Sequence, residues 1–370
     1  MAAYLNGLAC AVPRHELPQR LVQHEARAIF ATGYPQIDKL MTTFATAGIE
    51  RRYSVVPLTW FAGPKSWRER NDLYLETATA LFVEVARAAL DDAGWRADQV
   101  DCVVGVSSTG VATPTLDARA SSALGLRPDV RRVPLFGLGC AGGVTGLSVA
   151  QGLAAARPGS KVLLVVVETC SLSFRADRLQ KADIIAAVLF GDGAAAACVS
   201  TIAPTDGLAL VTLGEGIEHT WPDTLSIMGW DVDDAGLGVV FDRSIPDFTL
   251  RRFADAVDAA LRASGDERAA IDRFVCHPGG LKVIEAIERA LDLGPGRLDA
   301  ERQVLRRFGN MSAPTALFVL ETVLEQRTAG RMLLCALGPG FTASFVPLMV
   351  EAPIASPERA REPAVVDEPT

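Results

Sequence analysis

The chain can be laid upon itself. Leu90, Gly94, Val100, Asp101 and Val104 fall on Leu261, Gly265, Ile271, Asp272 and Val275 without a gap, at an offset of 171 residues. A second stretch, Gly139-Cys140-Ala-Gly-Gly-Val-Thr145-Gly-Leu147-Ser-Val149, falls on Gly309-Asn310-Met-Ser-Ala-Pro-Thr315-Ala-Leu317-Phe-Val319 at an offset of 170. Two matches with nearly one offset mean that a helix, a turn and a strand have been used twice. Each copy also ends in a Gly-rich turn that enters an apolar strand, Gly191-Asp-Gly193 and Gly338-Pro-Gly340.

Local patterns agree with a duplicated α/β unit. Tyr74, Leu75, Ala78, Leu81, Phe82, Val85, Ala89 and Leu90 keep helical spacing over 67–94, and Gly94 stands where a C-cap glycine belongs. Short β-branched runs follow at 100–106, 132–136, 162–167, 274–276 and 332–337, separated by helical stretches at 144–156 and 281–291. That alternation predicts an α/β fold with covered sheets. The expected organisation is a first half over 1–200, a second over 201–352, and a disordered tail over 353–370, where Pro, Glu, Ala and Arg leave almost nothing to bury.

Composition narrows the function. The 370 residues are 49% apolar, enough for a sizeable core, and carry a net charge of −8 with scattered cations, which argues against nucleic acid as substrate. The longest dense apolar run is Val162–Val167, far short of the roughly 18–20 residues of a membrane span, and the start lacks a signal-like apolar region. A soluble, cytoplasmic protein is expected. Seven cysteines without a C-x-x-C pair and four histidines without metal spacing predict reduced thiols and no metal site. Cys10, Cys102, Cys198 and Cys335 read as packing residues, and Cys170 as a residue that packs or lines a pocket.

The repeat makes three residues candidates for chemistry. Pseudo-twofold symmetry places Cys140 and Asn310 at equivalent helix starts, and His277 at the end of the strand equivalent to 100–106. Cys140, in Gly137-Leu-Gly-Cys140-Ala-Gly-Gly143, meets the positive end of a helix dipole, and an imidazolium beside it would favour the nucleophilic thiolate. A Cys⁻/HisH⁺ pair in a dry pocket is the expectation. Asn310 either caps its helix or donates, with His277, to a developing oxyanion. The competing reading of Gly137-x-Gly139-x-x-Gly142 is a dinucleotide fingerprint with Glu168 as the ribose acid, hence a nicotinamide-dependent oxidoreductase. It leaves His277 and Asn310 unexplained.

With these residues the chain resembles a type III polyketide synthase, the chalcone synthase-like branch of the thiolase-fold condensing enzymes. The likeness runs from about Ala47 to Leu348 and rests on Ala47-Gly-Ile-Glu-Arg-Arg-Tyr53, Leu126-Arg-Pro-Asp-Val-Arg-Arg132, Gly139-Cys-Ala-Gly-Gly143, Leu189-Phe-Gly-Asp-Gly-Ala194, Cys276-His-Pro-Gly-Gly280, Gly309-Asn-Met-Ser312 and Gly338-Pro-Gly340. It implies a thiolase-like fold with α-β-α-β-α layering and a homodimer. It makes Cys140 the acyl-accepting nucleophile, His277 and Asn310 the pair that drives decarboxylation of malonyl-CoA, and Phe190 a gatekeeper between the CoA tunnel and the cavity. Coenzyme A thioesters are then substrates, with no further cofactor.

Arg51, Arg52 and Lys282 are the candidate CoA-phosphate contacts, although Glu50 stands where many relatives have a third cation. Counting back from Pro246 puts Val239 where plant members carry a second gatekeeper phenylalanine, so a wider pocket is expected along that wall. Thr113 and Ser173 fall on the cavity wall by the same kind of count. Phe136–Gly143 and Met228–Val232 look most like bacterial members that extend fatty acyl starters, so an alkylpyrone or alkylresorcinol product is the expectation. Two alternatives share the Cys, His, Asn order. An initiating ketoacyl-ACP synthase would show His-Gln-Ala-Asn where this chain has His277-Pro-Gly-Gly280, and a papain-like thiol hydrolase gains nothing from a duplication.

Overall fold

The computed structural model describes residues 2–31, 37–175, 177–178, 180–205, 209–351 and 364–366. The first half runs β1 (Ala3–Pro13), β2 (His15–Pro18), α1 (Gln19–Phe30), α2 (Ile37–Thr46), β3 (Arg51–Ser54), α3 (Trp67–Asp92), β4 (Cys102–Val106), α4 (Leu116–Leu124), β5 (Arg131–Leu135), α5 (Gly142–Ala156), β6 (Val162–Thr169), α6 (Lys181–Leu189) and β7 (Asp192–Ser200). The second runs β8 (Val211–Leu213), β9 (Ile217–Thr220), β10 (Met228–Asp233), β11 (Gly236–Phe241), α7 (Ile245–Ala263), β12 (Arg273–Cys276), α8 (Leu281–Ala290), α9 (Asp299–Phe308), α10 (Thr315–Glu325), β13 (Gly330–Gly338) and β14 (Thr342–Val350), with β15 (Ala364–Val366) after it.

Pairing repeats as the sequence does. In the first half β4 runs parallel to β6, β6 antiparallel to β7 and β7 antiparallel to β1. In the second, β12 runs parallel to β13, β13 antiparallel to β14 and β14 antiparallel to β8 and β9. Strand β8 also pairs with β1, which joins both halves into one sheet ordered β12-β13-β14-β8-β1-β7-β6-β4-β5. One asymmetry matters below: β4 has β5 on its outer side, whereas β12 ends the sheet.

Alternation along the strands builds the layers, because successive side chains point to opposite faces. On β6, Leu163, Val165 and Val167 face α3 and α4, while Val162, Leu164 and Val166 face a central core. On β13, Met332, Leu334 and Ala336 join that same core, and Leu333, Cys335 and Leu337 face α7 and α8. Helices α5 and α10 lie in the middle and touch each other. Both faces of each half-sheet are covered, as near-continuous apolar strands require.

Helix α3 follows the expected spacing, with Tyr74, Ala78, Leu81, Phe82, Val85 and Ala89 buried, a Ser66/Glu69 capping box at its start and Gly94 at φ +62° just beyond its end. The segment expected to be a disordered tail needs one correction. Ala364–Val366, an Ala-Val-Val triplet with strand propensity, pairs in parallel with Ala11–Pro13. Its other residues, apart from Glu351 before it, lie outside those described. No helix among the described residues is long and apolar enough to cross a membrane.

Candidate active site

The turn that carries Cys140 is pressed between the two copies. Gly139 sits at φ +46°, and a Cβ there would come within 2.7 Å of the Pro339 ring. A Cβ on Gly143 would lie 2.2 Å from the Ala313 carbonyl oxygen. These glycines therefore serve the seam between α5 and the second-half turns at 312–314 and 338–340. From the first half, Ser108 Oγ accepts from the N–H groups of Gly137 (3.1 Å) and Gly139 (3.4 Å).

Cys140, His277 and Asn310 line one small cavity of about 20 Å³, and all three are buried. Asn310 is held on both sides: its Oδ1 accepts from Ser312 N (2.8 Å) and its Nδ2 donates to Gly279 O (3.2 Å). Ser312 itself stands at φ +61°, a backbone conformation costly for a residue with a side chain and found where a site demands it. His277 donates its backbone N–H to Cys335 O at 2.8 Å, but neither ring nitrogen has a partner among the described residues.

Burial bears on one expectation. Burial pushes the Cys140 thiol up to about 11, with the Ser312 and Asn310 side chains acting against the rise, and pushes the His277 imidazole down to about 3. A dry site disfavours each isolated charge. Burial thus works against both members of the Cys⁻/HisH⁺ pair expected from sequence.

A second cavity, about 260 Å³, adjoins the first through Cys140, Met228 and Phe241. Phe61, Phe174 and Ile29 also line it, and its walls are mostly apolar. Phe190, Cys170, Ser173 and Val239 line it. The main chain at Phe190 is bridged to Asn310, with Asn310 N donating to Leu189 O (2.8 Å) and Gly191 N to Asn310 O (3.0 Å).

Three expectations fail on geometry. Thr113 is exposed in the loop before α4 and does not line either cavity, because the chain turns outward there. The wall at Val239 is not open: Phe241, two residues on and on the same face of β11, sets its ring edge-to-face against Phe190 with centroids 6.1 Å apart. Arg52 is no surface phosphate ligand. It is 3% exposed, and its guanidinium donates to Ala187 O (2.7 Å), Val188 O (2.5 Å) and Phe190 O (3.0 Å) and to Gln19 Oε1, capping the end of α6. Arg51 is half exposed near Glu16, and Lys282 is exposed at the start of α8, whose Leu281 packs on Gly48.

Sequence reasoning missed Phe241, Ser312 and the true setting of Glu168. That carboxyl is fully buried beside the site, accepts from Ser108 N (2.9 Å) and Thr109 Oγ1 (2.8 Å), and is pushed up to about 8 by burial. It is not available to a ribose.

A thiol, an imidazole and an amide meeting at the seam of a duplicated fold, beside an apolar chamber, suit a condensing acyltransferase. Comparison with known proteins agrees. The chalcone and stilbene synthase family matches this chain through its N-terminal domain over 50–203 and its C-terminal domain over 213–350. A 1,3,6,8-tetrahydroxynaphthalene synthase of Streptomyces peucetius subsp. caesius is 38% identical over 307 residues, covering 81% of each chain. The alpha-pyrone synthesis polyketide synthase-like Pks18 of Mycobacterium tuberculosis is 29% identical over 353 residues, covering 92% of this chain and 89% of that one. The crystal structure of the tetrahydroxynaphthalene synthase of Streptomyces coelicolor A3(2) superposes with a TM-score of 0.88 at 26% identity, covering 95% of this chain and 100% of that one.

The chain belongs to the chalcone and stilbene synthase family. It is a type III polyketide synthase with a thiolase-like fold, an acyltransferase class that works by decarboxylative condensation. This sets aside the oxidoreductase, papain-like and ketoacyl-ACP synthase alternatives.

Proposed function

We propose that this synthase loads a medium or long fatty acyl-CoA on Cys140, extends it with malonyl-CoA and closes the product to an alkylpyrone or alkylresorcinol. The observation that carries the starter is the mostly apolar lining of the larger cavity, which Cys140 shares with Ile29, Phe61, Phe174 and Val239. An alkyl chain gains about 0.8 kcal/mol per buried CH₂ there, and a polar starter gains nothing comparable. The similarity to a protein named for alpha-pyrone synthesis supports the product class.

In this reading His277 takes the thiol proton as Cys140 attacks the acyl-CoA carbonyl. The carbonyl–sulfur bond to CoA breaks, and the proton passes on to the leaving CoA thiolate. Malonyl-CoA then loses CO₂, and His277 and Asn310 donate to the enolate oxygen left behind. The carbanion attacks the Cys140 thioester, freeing the cysteine and leaving a β-ketoacyl-CoA two carbons longer. No redox change occurs, so no redox cofactor is needed. Arg51 and Lys282 are the proposed CoA-phosphate contacts, Phe190 the gatekeeper, and the protein acts as a cytoplasmic homodimer, in keeping with its seven free cysteines and with its family.

A second reading has one observation in its favour, the 38% identity to a tetrahydroxynaphthalene synthase. That product has no alkyl tail and would need no fatty starter. The test is incubation with malonyl-CoA alone and with a graded series of acyl-CoAs, the products identified by mass. Masses that climb with starter length, and vanish in Cys140→Ala while some bare decarboxylation persists, are expected. A single product independent of the added acyl-CoA overturns the fatty starter, and product formation by Cys140→Ala overturns the nucleophile.

A further inference from the structure

Among the described residues no side chain bonds either ring nitrogen of His277, the contact that usually orients a catalytic imidazole. Its direction is therefore set by the backbone that carries it. On one side that backbone is fixed by the sheet: His277 N donates to Cys335 O on β13. In a parallel pair alternate residues point their N–H groups away from the neighbour, so the N–H of Cys276 faces outward.

At the equivalent place in the first copy, Gly105 of β4 is flanked by β5, where it pairs with Pro134. Among the described residues the second copy has no such strand beyond β12. A buried backbone N–H without a partner is costly, and a partner must come from elsewhere. It comes from α9: Glu301 Oε1 accepts from Cys276 N at 3.0 Å. Glu301 is 0% exposed, and its other oxygen meets Arg273 Nη2 at 2.7 Å, two strand residues earlier than Val275 on the same β12. The groups that hold this carboxylate are the charged Arg273 guanidinium and the neutral Cys276 backbone N–H.

We infer that Glu301 is a positioning residue: its carboxylate stands in for the absent outer strand, pins the end of β12 and so aims the His277 imidazole at Cys140 and Asn310. Nothing in the sequence pattern of a helix-borne glutamate distinguishes it from a surface residue, and the lost strand explains why a carboxylate is buried between Arg273 and one outward-facing backbone N–H. The inference rests on His277 being the base of the proposed reaction.

The experiment compares three variants of the full chain in steady-state condensation assays and in iodoacetamide alkylation of Cys140 at pH 7. Glu301→Gln keeps an acceptor for Cys276 N–H, and its kcat stays within threefold of the wild type. Arg273→Met/Glu301→Met removes both charges in a shape that a core tolerates but leaves the N–H unpaired. Glu301→Asp keeps the charge and draws the acceptor back by one bond. Both are expected to lower kcat at least tenfold, with KM for either thioester changed less than threefold, and to slow Cys140 alkylation to match. A folded double variant or aspartate variant with wild-type kcat overturns the inference, as does a glutamine variant as slow as these two. A wild-type protein that makes no condensation product overturns the reaction instead, and the alkylation rates then still report whether Glu301 governs the imidazole.

Discussion

Phe190 and Phe241 meet edge-to-face at 87°, one at the end of α6 and the other at the end of β11, so that the two halves of the chain each supply one ring to the chamber wall beside Cys140. Such a pair adds roughly 0.5–1.5 kcal/mol beyond the area it buries, which is enough to hold a gate but not to lock it.

Truncating the second ring tests the gate. Phe241→Ala is expected to raise the kcat/KM ratio of the longest to the shortest accepted acyl-CoA by about tenfold, or ~1.4 kcal/mol of discrimination. Val239→Phe, which adds a ring on the same strand face, is expected to lower that ratio. Competition between two acyl-CoAs, read by product mass, measures both. An unchanged ratio in Phe241→Ala removes the ring from the gate.

The burial of Cys140 beside His277 makes a second prediction. Without its imidazole, Cys140 keeps a thiol pushed up to about 11 by burial. In His277→Gln, iodoacetamide alkylation of Cys140 at pH 7 should fall by roughly 10–100-fold, the range for loss of a general base. It should then climb steadily toward pH 11. A flat profile between pH 7 and 10 in this variant would show that something other than His277 draws off the proton.

Arg52 separates structure from substrate binding. Arg52→Met strips four acceptors of their donor, three of them carbonyls at the end of α6. Stability should drop by about 3 kcal/mol or more, seen as a lower urea midpoint. KM for CoA thioesters should hardly move in the protein that remains folded, whereas Arg51→Ala or Lys282→Ala should raise it about threefold or more through a lost phosphate contact. A KM increase specific to Arg52→Met, with an unchanged midpoint, contradicts this assignment.

Stability should fall above neutrality. Burial pushes Glu168 up to about 8, Glu301 and Glu321 to about 7 and Asp192 to about 6. Each binds its proton more tightly in the folded chain than in the unfolded one, so its contribution is whole below the ordinary carboxylate range and is lost as pH rises through the folded value. His277, pushed down to about 3, acts in the opposite sense and costs stability as pH drops below its ordinary 6.5. The urea midpoint is therefore expected to be lower at pH 8.5 than at pH 6, and Glu168→Gln should flatten the slope. A midpoint that rises over this interval refutes the burial argument.

Much of this was legible in the amino-acid order, for identifiable reasons. Helix α3 and strands β4, β6 and β13 carry periodic apolar residues because one or both of their faces are buried. The trio at the seam was legible because a duplication preserves register, so that Cys140 and Asn310 could be placed opposite each other without coordinates. Residues whose role depends on the third dimension were not legible. Phe241 lies only two positions from Val239, and counting from Pro246 could not say which of two same-face residues would meet Phe190. Arg52 sits in a run of cations that reads as surface, but its guanidinium turns inward to a helix end over 130 residues away in sequence. Glu301 marks where the copies diverged, and an offset comparison is blind to an element that one copy lacks.

The ladder between Leu189–Gly191 and Asn310 has a consequence for redesign. The Phe190 ring that lines the chamber and the Asn310 amide beside Cys140 hang from adjoining peptide groups, so a substitution that shifts the backbone at Phe190 also shifts Asn310. Altered selectivity sought at that position will tend to arrive together with slower turnover. On the hairpin β10–β11, outside the main sheet, Val239 and Val240 line the larger cavity but not the smaller one, and there chamber shape can vary with the least effect on the chemistry.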